Sequence, residues 1–308
     1  MAKTKQPTRV IDFMKLRHLC AAISLVLTLG AVLLLGINGL HYGLDFTGGT
    51  LVEVEFAADQ PLDEVRQQLK EAGFNDAVVQ NFGSARDVMV RLGEGHSAQV
   101  GEQVLAALSQ DGAQVTIKRT EFVGAQVGDE LREQGGLGML LALGMVMLYV
   151  AARFQFKFAL AAVLALAHDV IVVLGVFALL RWDFDLTVLA AVLAVIGYSL
   201  NDSIVVADRI RENFRKMRKS EPIEVINTAM TDTLGRTTIT SGTTLLVVLA
   251  LFLFGGEMIH GFALALLVGI GVGTYSSVYV AASLLVYLNV RREDLLPPPK
   301  EELVDDAP

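Results

Sequence analysis

Residues 186–213 read LTVLAAVLAVIGYSLNDSIVVADRIREN. From 186 to 207 the only fully charged side chain is Asp202, and the charges resume at once with Asp208 and Arg209. A helix rises 1.5 Å per residue, so about 20 residues cross a hydrocarbon core of about 30 Å. This stretch is long enough to span a membrane, and it carries an acid inside it.

Five further stretches are of the same kind, at 19–37, 136–152, 158–180, 239–254 and 259–288. The last is too long for one upright span and is expected to tilt. The 308 residues are 53% hydrophobic, with a mean hydropathy of +0.51. Ordinary soluble domains hold about 45–50% apolar residues in periodic stripes, whereas here they fall in blocks. The blocks rule out a chain disordered throughout and argue against a wholly soluble domain. Cys20 is the single cysteine, so neither an internal disulfide nor a cysteine-rich zinc site is possible. The first stretch exceeds the roughly 7–15 apolar residues of a signal peptide and reads as a retained anchor.

Lysine and arginine set the orientation. Five lie in the N-terminal segment 1–18, two at 153–157, seven in the basic loop 208–236 and three in the tail 291–308. The opposite short loops hold only Arg181. Both termini are therefore expected in the cytoplasm, with the tail disordered.

The insert 39–135 is the one soluble domain of size. Its 16 acids against 7 bases make it an unpromising nucleic-acid binder. It reads as strand 50–56, helix 61–71 starting near Asp59 or Gln60, strands 76–82 and 87–92 about a Gly83-Ser84 turn, helix 97–109 capped by Ser97, and strand 113–122. That β-α-β-β-α-β order predicts a small ferredoxin-like α/β domain between the first two of six transmembrane helices. His96 falls in a loop. No Gly-x-Ser-x-Gly, His-Glu-x-x-His or P-loop pattern occurs, so no enzyme, cofactor or metal is implied.

A charge at mid-bilayer costs about 2.5–3.5 kcal/mol on insertion scales, so each one needs a reason. His168 and Asp169 lie near the middle of span three. Tyr198, Asn201, Asp202 and Val205 recur on one helical face of span four. Arg236, Thr240, Thr243 and Val247 share a face of span five, with Thr244 beside it. Asp202 and Arg236 both belong to the cytoplasmic half, so an ion pair between them is geometrically allowed. Two other readings stand beside this one. Membrane hydroxyls also bond their own backbone or hold helices together, and Arg236 can snorkel to the surface. An interior acid suits a proton carrier, because low dielectric favours its neutral form and an approaching guanidinium its anion. Gly269 and Gly273 form a close helix-packing contact. Tyr275, Ser276, Ser277 and Tyr279 follow, facing either the interior or a partner helix.

Several stretches together resemble a known family. They are DFTGG at 45–49, AHDV at 167–170, GYSLNDSIVV at 197–206 with DRIREN at 208–213, RTTITS at 236–241 and FGG at 254–256. From about residue 10 to 293 the order and spacing resemble the SecF family, the smaller subunit of the bacterial SecD–SecF accessory complex. The resemblance implies a resistance–nodulation–division fold in the inner membrane and SecD as partner. It also implies contact with the SecYEG translocon, exported polypeptide and membrane lipids. The implied work is a late step of preprotein export driven by proton-motive force. It assigns Asp202 and Arg236 to a proton path, with Asn201, Thr240, His168 and Asp169 beside them, the last two in a less settled role. Asp45, Gly48 and Gly49 form a turn expected to transmit motion to the exterior domain, the glycines tolerating unusual φ. Two rivals remain: a proton-coupled exporter of small molecules or lipids in the same superfamily, and a membrane scaffold without an ion path.

Overall fold

A computed structural model of the chain describes residues 10–93, 99–110 and 113–295. His96 and Ser97, and the tail from 296 onward, lie outside the described residues. Among the described residues, six helical segments are long and apolar enough to cross a membrane. The first is α1 (Arg17–Asn38), entered through a 3-10 turn at Phe13–Leu16. Strand β1 (His41–Tyr42) and the one-turn α2 (Leu44–Thr47) lead into the α/β domain.

That domain is built from β2 (Gly49–Phe56), α3 (Leu62–Glu71), β3 (Val78–Phe82), β4 (Ser84–Leu92), α4 (Val100–Leu108) and β5 (Val115–Val123). The strands lie in the order β3-β4-β2-β5, every neighbouring pair antiparallel. This is the ferredoxin-like arrangement, and the alternation in the sequence is its cause. Val52, Val54 and Phe56 point inward against Val65 and Leu69 of α3 and Val104 and Leu108 of α4, while Glu53 and Glu55 stay on the wetter face. Gly83 turns the β3–β4 hairpin at φ 82°. Helix α3 starts directly after Pro61, whose ring fixes φ at the helix entrance.

The membrane part continues with α5 (Ala125–Arg153), α6 (Phe156–Leu180), β6 (Asp183–Phe184), α7 (Leu186–Lys216) and α8 (Pro222–Phe254). The last span is α9 (His260–Tyr275), a π-helical segment Ser276–Ala281, and α10 (Ala282–Tyr287). Three helix boundaries differ from the sequence expectation. Helix α5 begins at Ala125, within the stretch assigned to the soluble insert. Most of the "loop" 208–236 is helical, since α7 runs to Lys216 and α8 starts at Pro222. Residues 292–295 of the expected disordered tail form a 3-10 turn, where Lys157 Nζ donates to Asp294 at 2.7 Å. For α7 and α8 the reason is packing. Hydropathy marks where the bilayer ends, but a helix stops only where its caps and packing stop it. Ile210, Phe214, Val225, Ile226, Ala229 and Met230 bury the helical extensions in one core with Phe13 and Met14.

Small residues set the helix spacing. A Cβ on Gly175 of α6 would lie 2.7 Å from the Ala31 backbone of α1, and one on Gly273 would sit 3.2 Å from Ser199 of α7. Gly269 presses on Val195 in the same α7–α9 contact, so the glycine pair packs as its spacing predicted.

Two predictions follow from these contacts. Gly175→Val should push α1 off α6 and destabilise the protein by about 1–3 kcal/mol, read as a lower unfolding temperature in detergent. In the α/β domain, Asp87 accepts from Lys118 Nζ at 2.7 Å and from Ser84 Oγ at 2.5 Å. These two bonds hold the Asp87 carboxyl below its ordinary range. A depressed carboxylate contributes stability that is present above its unfolded value, near pH 3.9, and lost as pH falls through the folded one. Lys118→Met should therefore weaken amide-exchange protection of β4 and β5 above that range. The difference from wild type should shrink as the pH is taken down.

Candidate functional site

Two carboxyl groups lie inside the helix bundle, and each is surrounded by hydroxyls. Asp169 on α6 is fully buried. Its Oδ1 accepts from His168 Nδ1 at 2.9 Å, and its Oδ2 accepts from Ser199 Oγ of α7 at 2.5 Å and Ser276 Oγ at 2.7 Å. Asp202 on α7 is 8% exposed. Thr237 Oγ1 of α8 donates to its Oδ1 at 2.6 Å, and Ser277 Oγ donates to its Oδ2. Consecutive serines thus serve two different acids. In a regular α-helix neighbours diverge by about 100°, and the π-helical segment that starts at Ser276 is where the last span is re-aimed. Gly273, one turn earlier, lets the backbone come close enough for these bonds.

A second set of hydroxyls lies next to the acids. Tyr198 donates to Ser241 Oγ of α8 at 3.0 Å, as does Thr274 Oγ1 at 2.9 Å. Tyr275 OH reaches α1, where it donates to the Cys20 carbonyl at 2.9 Å and pairs with Ser24 Oγ at 3.0 Å. The buried His168 Nε2 has no partner among the described residues.

Several residues expected at this centre are elsewhere. Arg236 is exposed, and among the described residues no ion pair or hydrogen bond engages its side chain; the Asp202–Arg236 pair is not formed. Thr237, one position on, meets Asp202 instead. Asn201 also faces outward. Thr240 is exposed and donates to the Arg236 carbonyl at 2.9 Å, which is the backbone-bonding alternative. The three-to-four spacing holds on both helices, but on α8 the phase is off by one residue, and on α7 Tyr198 and Asp202 reach the interior while Asn201 does not. The buried stripe of α7 is Val195, Ser199, Asp202 and Val206, and that of α8 is Thr233, Thr237, Ser241 and Val248. Both helices have hydroxyls on two faces, so spacing alone does not choose between them. Ser276 and Ser277 were visible as a pair, yet only the π-helical geometry reveals that each reaches its own carboxylate.

The turn at 45–49 meets the same helix at its other end. Asp45 Oδ2 accepts from the Leu186 amide at 3.0 Å, and Asp185 accepts from the Val188 amide at 2.8 Å. Two acids therefore cap the start of α7, as its exposed N–H groups and dipole favour. Gly48 at φ 66° and Gly49 at φ 114° then turn the chain into β2. Gly48 lies against the start of α5, where a Cβ would come 2.9 Å from Ala125 Cα. Strand β1 pairs in parallel with β6, and Arg91 of β4 donates to the Tyr42 carbonyl at 2.8 Å and Thr47 Oγ1 at 2.7 Å. The α/β domain is thereby fastened to the α7 entrance.

Comparison with known proteins agrees with this architecture. The family model for the protein export membrane protein SecD/SecF, C-terminal, matches residues 103–291, and the SecD/SecF GG motif matches 33–60. The "Protein translocase subunit SecF" of Pseudomonas aeruginosa is 52% identical over 300 residues, covering 97% of this chain and 98% of the relative. That of Vibrio alginolyticus is 52% identical over 298 residues, covering 96% and 95%, and that of Escherichia coli O157:H7 is 45% identical over 305, covering 97% and 94%. The crystal structure of SecDF from Thermus, a translocon-associated membrane protein, aligns with a TM-score of 0.83 at 38% identity, covering 91% of this chain. A SecDF structure in a super-membrane-facing form aligns at 0.69, also with 38% identity and over 95% of this chain. This chain spans only 39% and 41% of those two chains. With six membrane helices, the GG turn and relatives matched from end to end, the chain is a multi-pass inner-membrane protein that belongs to the SecF family.

Proposed function

We propose that this chain is an accessory subunit of the Sec protein translocase that works with SecD. In this reading proton-motive force drives a late step of preprotein export. The termini lie in the cytoplasm, as the lysine and arginine distribution favours, and the α/β domain lies on the far side. The subunit is a coupling device and not an enzyme, and SecYEG and the emerging polypeptide are its further contacts.

The observation that carries this reading is the choice open to Ser276 and Ser277. Each hydroxyl has one proton and two acceptors. Ser277 Oγ reaches Asp202 and also the Thr274 carbonyl at 3.0 Å; Ser276 Oγ reaches Asp169 and also the Gly273 carbonyl at 3.1 Å. When Asp202 is ionised, Ser277 donates to the carboxylate. When Asp202 is protonated, the carboxyl donates to Ser277 and the serine turns to its own carbonyl. Both states keep every buried group bonded, so a proton enters and leaves without orphaning a polar atom.

Arg236 enters from the outside. It precedes Thr237 by one residue, so turning α8 by about 100° would bring the guanidinium where the threonine hydroxyl now sits. Approach of that cation favours the anion and expels the proton. One proton crossing 100 mV releases about 2.3 kcal/mol, enough to shift a two-state element more than tenfold. Because Asp45 caps the other end of α7, movement of that helix reaches the α/β domain.

Inverted vesicles containing the chain and its SecD test this. Asp202→Asn should abolish the proton-dependent part of export with the complex still assembled, and Arg236→Ala should do the same. Export at the wild-type rate from both would move the chain to the scaffold class. Ser277→Ala gives a finer test: it removes the alternating donor but not the acid. It should slow proton-dependent export by about tenfold, the loss of one hydrogen bond to a charged group, and Ser277→Thr should restore most of the rate.

A further inference from the structure

The end of the bundle that carries the basic residues holds a cleft of about 310 Å³ lined by Arg153, Asp208, Arg211, Glu212 and Arg215. Its charges do not cancel. Glu212 is occupied by Arg209 at 2.6 Å and by Lys216 at 2.5 Å, neither of which lines the cleft. Asp208 is shared between Arg153 at 2.9 Å and Arg211 at 3.2 Å. Three guanidinium groups thus face one carboxylate. Arg215 is exposed with no ion pair or hydrogen bond among the described residues, and the buried Arg211 Nε has no partner. The Phe154 ring lies beneath both remaining guanidinium groups, 5.1 Å from Arg153 and 5.6 Å from Arg211, and keeps them side by side.

Depth identifies what such a cleft meets. Counting about 20 residues of hydrocarbon from Leu186, α7 leaves the apolar layer near residue 206, so Asp208, Arg211 and Glu212 lie about 3–9 Å beyond it, at the level of the phospholipid headgroups, with Arg215 about one turn further out. Toward the hydrocarbon, Leu148 and Tyr149 of α5 are 72% and 53% exposed, and Phe156 is 80% exposed beside the cleft. A polar fork at headgroup level above an uncovered apolar wall fits an amphiphile better than a free ion. Planar guanidinium groups bind phosphate through paired N–H bonds. We infer that this cleft holds the phosphate of an anionic phospholipid, with its acyl chains along the outer face of α5. Lipid bound there would link the end of α5 to α7, the helix that carries Asp202.

The test is native mass spectrometry of the full-length chain in detergent, titrated separately with phosphatidylglycerol, phosphatidylcholine and inorganic phosphate. Phosphatidylglycerol should bind to the wild type, and Arg211→Gln with Arg215→Gln should weaken it by more than about tenfold, since each cation near a membrane surface contributes roughly fivefold. Arg215→Gln alone, which breaks no contact in the protein, should weaken binding severalfold even if the double variant folds poorly. Arg218→Gln, equally exposed but outside the cleft, should leave binding unchanged. The inference is overturned if Arg218→Gln matches Arg215→Gln, or if the cleft variants bind like wild type. It is equally overturned if phosphatidylcholine binds as well with the same sensitivity, or if millimolar inorganic phosphate displaces the lipid.

Discussion

A carboxyl group in a membrane interior must find its hydrogen-bond partners within the protein, and this requirement organises the bundle. Asp169 and Asp202 come from different helices, and their donors come from α7, α8 and the π-helical segment. Each donor works only if its helix is close, which explains the small residues nearby. Gly269 and Gly273 bring the last span against α7 at Val195 and Ser199, and without that approach neither Ser276 nor Ser277 would reach an acid. An unmade bond to a buried charge costs more than a made one contributes. The polar centre therefore constrains the apolar packing around it.

Much of this was legible in the sequence, for reasons that differ between regions. The α/β domain could be read almost strand by strand, because each strand buries one face and Val52, Val54 and Phe56 announce it. The membrane spans could be read because hydrocarbon tolerates few charges. Helix ends could not. The charged stretches of α5, α7 and α8 interrupt hydropathy while the helical backbone continues, and the buried faces of the α7 and α8 stretches appear only when they are seen in one core with Phe13 and Met14. The site fell between these cases. Asp202 and Asp169 are evident because they are costly, whereas their partners are serines and threonines, which are cheap in any helix and abundant on two faces of α8. The two-residue strands β1 and β6 are too short to leave any pattern at all.

Helix α7 joins the two halves of the molecule. Its first amide hydrogen-bonds to Asp45, from the turn that opens the α/β domain, and sixteen residues on, about 24 Å away, it carries Asp202. Between them lies a continuous hydrogen-bonded rod that does not bend easily. A displacement of Asp202 relative to α8 therefore has to appear at the Asp45 cap, unless the rod slides or the cap lets go. The cap is reinforced on the far side by Arg91, which ties β4 to Tyr42 and Thr47. Gly48 and Gly49, held at positive φ, are the joints beside this fastening and not the fastening itself.

The outer surface makes a separate argument. Arg236, Asn201 and Thr240 are exposed at depths where lipid would surround an isolated chain, and Thr240 alone has satisfied itself through its own backbone. Arg236 near the end of the apolar layer can reach water, but Asn201 lies one residue before the buried Asp202 and has no such route. A primary amide facing hydrocarbon costs several kcal/mol unless another protein supplies its partners. The same flank, along α7 and α8, is the one from which a cation could replace Thr237 at Asp202. In the proposed reading, a partner that covers Asn201 would also sit where it could push Arg236 inward or hold it out.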